Sequence, residues 1–178
     1  MKKILTLLAA SGLLLACLSG CGNRKGESSG TDESSMIEVI IPLEMPDIDI
    51  SIPKDYAETS TENNSTVYIK NDASIIVNSD VFTDNYKTLD EYVEYADETY
   101  RSVADELQIL SREERNDGKL LEFIYSLNSE NGVFSKYCMT AYFTDGEQLY
   151  LVTCKADVGT YESYRDEFLS VIDSVELK

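Results

Sequence analysis

The chain has 178 residues with 15 Lys+Arg against 33 Asp+Glu, a formal net charge of −18, and neither histidine nor tryptophan. So acidic a balance excludes nucleic acid as a partner, since affinity there comes from cationic neutralisation of phosphates, and it excludes a broad electrostatic footprint on an anionic membrane. The missing imidazole excludes Ser-His-Asp and Cys-His nucleophilic mechanisms and histidine-containing zinc sites.

Lys2 and Lys3 open the chain, an apolar run extends from Ile4 to Ala16, and small residues close the segment at Leu18-Ser19-Gly20-Cys21. This is the layout of a secretory signal, and the run is short for a bilayer span. Because it ends in cysteine, the segment resembles a bacterial lipoprotein signal with its lipobox. The resemblance implies cleavage after residue 20, a diacylglyceryl thioether on Cys21, and a lipid-anchored mature protein on the extracytoplasmic face of the membrane. Cys17, after Leu14-Leu15-Ala16, is a competing box in which Leu15 fits the variable position less well than Ser19 does. Residues 1–20 hold two of the lysines and no acid, so the remainder stands at −20.

Residues 21–36 read as the lipidated cysteine and a spacer. From Gly22 to Ser35 no apolar residue is available for burial, and random-coil scaling gives a reach of about 20 Å. A single globular domain is expected over 37–178, long enough to bury a real core. Ile37, Val39, Ile41 and Leu43 alternate, although Pro42 and Pro46 confine this piece to an edge or a loop. Ile48, Ile50 and Ile52 alternate with Asp47, Asp49 and Ser51 up to Pro53. Polar Glu58 to Ser65 reads as a loop, and Val67–Lys70 and Ser74–Phe82 as two strands joined through Asn71-Asp72.

Thr88 followed by Glu91 makes a capping box. Leu89, Tyr92, Val93, Ala96, Tyr100, Val103, Ala104 and Leu107 then recur at helical spacing as one apolar stripe. Four β-rich runs follow, near 109–116, 119–128, 133–143 and 148–155. They are punctuated by Asp117-Gly118, Asn131-Gly132 and Asp145-Gly146, each suited to a tight hairpin. Thr160 is expected to cap a second helix whose stripe is Tyr161, Tyr164, Phe168, Val171, Ile172 and Val175. The fold class is α+β: an antiparallel meander of six to seven strands packed with two main helices.

Four cysteines reduce to two in the domain, because Cys17 is discarded and Cys21 lipidated. Cys138 and Cys154 flank the Asp145-Gly146 turn in a disulfide-permissive compartment. A three-residue loop sets them opposite each other for a cross-strand bridge. A two-residue loop sets them on opposite faces, as two inert buried thiols.

The order of elements, the early Ile50-Ser51-Ile52-Pro53-Lys54-Asp55-Tyr56 and the late Tyr161-Glu162-Ser163-Tyr164-Arg165-Asp166-Glu167-Phe168 resemble the PsbP-like superfamily across roughly residues 45–178. The resemblance implies an α/β/α sandwich and an accessory or binding role. No family functional motif is matched position by position, so no site residue is carried over.

Ser51-Ile52-Pro53-Lys54 matches the S-x-x-K string of penicillin-binding enzymes, but Pro53 at a strand end denies it the helix those enzymes need, and no S-D-N or K-T-G partner exists. Glu91, Glu94 and Glu98 share a helix face, and Asp47 and Asp49 a strand face. Either group is a weak candidate for calcium, against the plainer reading of a solvated face. Tyr142 and Tyr150 are candidates to lie across from each other on the last hairpin as a partner surface, against the plainer reading of sheet packing. The function expected is that of a non-enzymatic module, without a cofactor, that assists another envelope protein. The alternative is a binding protein for calcium or a small cationic ligand. A two-carboxylate hydrolase is a third reading, and it requires a deep cleft.

Overall fold

The computed structural model describes residues 41–45, 48–62, 64–130 and 132–178. The leader, Cys21, the spacer and Asp47 lie outside the described residues. In chain order the elements are β1 (Ile41–Met45), β2 (Ile48–Ile52), β3 (Ala57–Glu62), β4 (Ser65–Lys70), β5 (Ala73–Val81) and α1 (Leu89–Val103). After these come β6 (Glu106–Arg115), β7 (Gly118–Ser129), β8 (Gly132–Thr144), β9 (Gln148–Asp157), a 3-10 turn (Tyr161–Ser163), α2 (Arg165–Asp173) and β10 (Glu176–Leu177).

Seven strands form one antiparallel sheet in the order β3-β4-β5-β9-β8-β7-β6. Two meanders are thus sewn together along β5–β9, with α1 carrying the chain from the first to the second. A small sheet, β1-β2-β10, is also antiparallel. One face of the large sheet packs Met139, Ala141, Phe143, Tyr150, Val152 and Cys154 against Ile48, Ile50 and Ile52 of β2 and Phe168, Val171 and Ile172 of α2. On the other face Tyr142 and Phe123 meet the α1 rings Tyr92 and Tyr100. The arrangement is α+β, a large antiparallel sheet with a helix on each side.

Several expectations change at element ends. The polar stretch beginning at Glu58 is an outer strand and not a loop. As β3 it pairs only with β4, and its residues Ala57 to Ser60 are exposed, so no apolar alternation marks it. The α1 cap is as expected, with the Glu91 amide donating to Thr88 Oγ1 at 3.2 Å and the Lys87 amide to Glu91 Oε2 at 2.6 Å. The helix stops at Val103, however, and Leu107 belongs to β6. Asp105 explains the switch. Its amide donates to Ser126 O and its carboxylate accepts from the Asn128 amide, which ties the chain to β7. Thr160 precedes the 3-10 turn and not α2, and its side chain makes no capping bond there; its hydroxyl donates to Asp72.

The β6–β7 turn is Asn116-Asp117, at φ of 50° and 59°, and Gly118 begins the next strand. Gly118 is needed for space, since a Cβ there would stand 2.6 Å from both the Phe143 ring and Tyr142 O. Four residues separate the last β8–β9 pair, Thr144↔Leu149. That even count sets Cys138 opposite Lys155 and Cys154 opposite Met139, so the two cysteines point to opposite faces. Both are buried thiols, and the candidate disulfide is not formed.

Candidate interaction surface

The segment from Thr160 to Glu167 is tied to the large sheet and its turns by three knots of side chains. Asp72, in the β4–β5 turn, accepts the Thr160 hydroxyl, the Asp157 amide at 3.2 Å and the Tyr164 hydroxyl at 3.2 Å. Burial alone would raise the Asp72 carboxyl, but these donors together hold it below its ordinary value. The second knot centres on Glu167, which accepts Tyr56 Oη at 2.8 Å and Lys70 Nζ at 2.9 Å. Lys70 also pairs with Asp55 at 2.7 Å, over the faces of Tyr56 and Tyr164. Burial opposes the charge on Lys70, yet Asp55 and Glu167 raise its pKa and keep it protonated.

The third knot lies at Glu122 on β7. Its carboxylate accepts Tyr137 Oη at 2.9 Å and Arg165 Nη2 at 3.1 Å. Burial, then the bond to Glu122, pushes the Tyr137 phenol up to about 12. Tyr161 stacks on Tyr137 with ring centroids 3.3 Å apart. At the far end of α2, Arg115 grips Asp173 through two nitrogens at 2.6 Å each, and Asn116 Nδ2 donates to Val175 O at 2.8 Å. These groups make a collar of charge and aromatic rings, with Arg165, Lys70 and Asp55 reaching solvent. Such a collar suits recognition of a charged partner, because rings add contact area and fixed charges set orientation.

None of the described residues proposed from sequence as a disulfide, partner or metal site lies in this collar. Tyr142 and Tyr150 are not a partner surface: they are 0% and 2% exposed and face opposite sides, with Tyr142 opposite Leu151 and Tyr150 opposite Phe143. The Tyr150 hydroxyl donates to Asp145 within its own hairpin. Glu91 is engaged by the α1 cap, and Glu94 and Glu98 are exposed. Asp49 pairs with Lys178. Among the described residues, no three His, Cys, Asp or Glu side chains gather as a metal ion would require. The aromatic run from Tyr161 to Phe168 was the one visible signal for the collar. Its strand partners Asp72, Glu122 and Tyr137 are far away in sequence, and nothing local marks them.

No protein-family model matches the chain, and no curated protein matches it. Solved structures do. Cyanobacterial PsbP (CyanoP) from Synechocystis sp. PCC 6803 is similar at a TM-score of 0.59 and 10% identity, covering 84% of this chain and 98% of that one. The Saccharomyces cerevisiae Ran-binding protein Mog1p gives 0.54 at 9% identity, covering 78% and 96%. LpqN of Mycobacterium tuberculosis, involved in cell envelope biogenesis, gives 0.54 at 13% identity, covering 78% and 90%. At such identities the likeness is one of fold.

Proposed function

We propose that this chain is an extracytoplasmic lipoprotein, tethered through Cys21, whose PsbP-like domain is a non-enzymatic module that docks onto and assists another protein of the cell envelope. The observation that carries the reading is Leu18-Ser19-Gly20-Cys21 and the polar spacer behind it, placed directly before a domain of this fold. Its fold neighbours support an accessory role: one is a Ran-binding protein and another is involved in cell envelope biogenesis. The collar around residues 160–167 supplies the kind of surface a protein partner would use.

Crosslinking in intact cells tests this reading, with a Cys21→Ala chain as the unanchored control. Recovery of one protein reproducibly with the anchored chain, and its loss with the control, is the expected result. Recovery of abundant envelope proteins alone, at equal levels from both chains, would count against it. Labelling with an alkyne-bearing palmitate analogue checks the anchor separately. Incorporation should vanish in Cys21→Ala and persist in Cys17→Ala, and the reverse pattern would move the anchor to Cys17.

A further inference from the structure

Among the described residues, Glu122 is the one acidic side chain that is buried. A buried carboxylate is costly unless donors surround it, and it offers about four acceptor directions. Glu122 meets two donors, the Tyr137 hydroxyl and a single nitrogen of Arg165. Arg165 is poorly placed to give more. It is the first residue of α2, and its side chain is 38% exposed against 7% for that of Glu122. The residue type is not the limit, since Arg115 engages Asp173 with two nitrogens.

Beside this under-filled carboxylate lies a second polar group without a partner. The Tyr161 hydroxyl is buried and makes no hydrogen bond. Its ring stacks on that of Tyr137, and burial, Tyr137 and Glu122 push its phenol up while Arg165 opposes them. The Glu122 carboxylate and the Tyr161 phenol thus both flank the half-buried Arg165, each with acceptor capacity to spare. A planar fork of N–H groups can bridge two such acceptors, whereas a compact ammonium addresses one point.

We propose that Glu122, Tyr137 and Tyr161 form a guanidinium-binding site, filled in the free chain by its own Arg165 and taken over on docking by an arginine of the partner protein. This rests on the reading of the domain as an interaction module and names the chemistry by which that partner is recognised. Displacing Arg165 costs little because its side chain is 38% exposed and gives Glu122 a single nitrogen. The large negative charge of the domain favours a basic incoming segment.

Ethylguanidinium, with ethylammonium at equal ionic strength, probes the site in thermal melts of the full-length protein in detergent. Arg165→Ala opens the pocket, and Arg165→Lys does so while keeping the positive charge. Ethylguanidinium should raise the Tm of either variant by about 3–5 °C at ten times its dissociation constant. Ethylammonium should not, and adding Glu122→Gln should abolish the rise. Equal effects of the two cations, or no effect of either, would overturn the site. In cells, Arg165→Ala should increase partner crosslinking and Glu122→Gln should decrease it. A partner captured equally by both would sink this inference and leave the interaction module standing.

Discussion

Asp72 and Gly118 show how single residues hold this fold for different physical reasons. The Asp72 carboxyl titrates below its ordinary value in the folded state, so its contribution is complete above about pH 4 and is lost as the pH falls through the lower folded value. Asp145 has the same sign, held down by the Gln148 and Glu147 amides in the β8–β9 turn. Asp72→Asn should therefore cost about 1 kcal/mol at neutral pH and flatten the acid limb of the stability profile. Urea titrations from pH 3 to 7 would show this, and an unchanged acid limb would assign that limb to other groups. At Gly118 the constraint is space alone. Gly118→Ala should cost about 1–3 kcal/mol, because the added carbon meets backbone and a packed ring. Indifference to the methyl group in the same titration would mean that β7 and β8 lie farther apart than described.

At the scale of elements, register decides what sequence spacing alone left open. A loop with an even residue count places Cys138 and Cys154 on opposite faces, so mass spectrometry after alkylation in denaturant should find two free thiols in the domain without reduction. A bridged pair would require β9 to slip by one residue, which would exchange its two packed faces and disrupt both sides of the core. The same parity separates Tyr142 from Tyr150. Long periodic elements such as α1 and β2 were legible in the sequence because their apolar faces repeat along the chain itself. β3 was not, since an outer strand with exposed side chains carries no such repeat. The collar was illegible for another reason. Asp72, Glu122 and Tyr137 look like ordinary turn and strand residues until the sheet brings each against the segment from Thr160 to Glu167.

For the whole molecule, the two borders of the large sheet share a feature. β3 is irregular between Glu58 and Ser60, and β6 between Ile109 and Ser111. Bulges twist an outer strand away from further pairing, and the charged run Arg112-Glu113-Glu114-Arg115 adds to this on β6. With a net charge of −18 as well, the protein should be monomeric in light scattering at tens of micromolar and moderate salt. A concentration-dependent dimer would mean that one border is open despite its bulge.

The pairing of β5 with β9, and of β2 with β10, also dictates when this chain can finish folding. The seam of the large sheet joins strands separated by α1 and three further strands, and the small sheet takes its third strand from Glu176 and Leu177. Such non-local closure makes for slow folding relative to helical proteins of the same size. The two local meanders can therefore pair early, while the seam between them waits for β9 and the small sheet for β10.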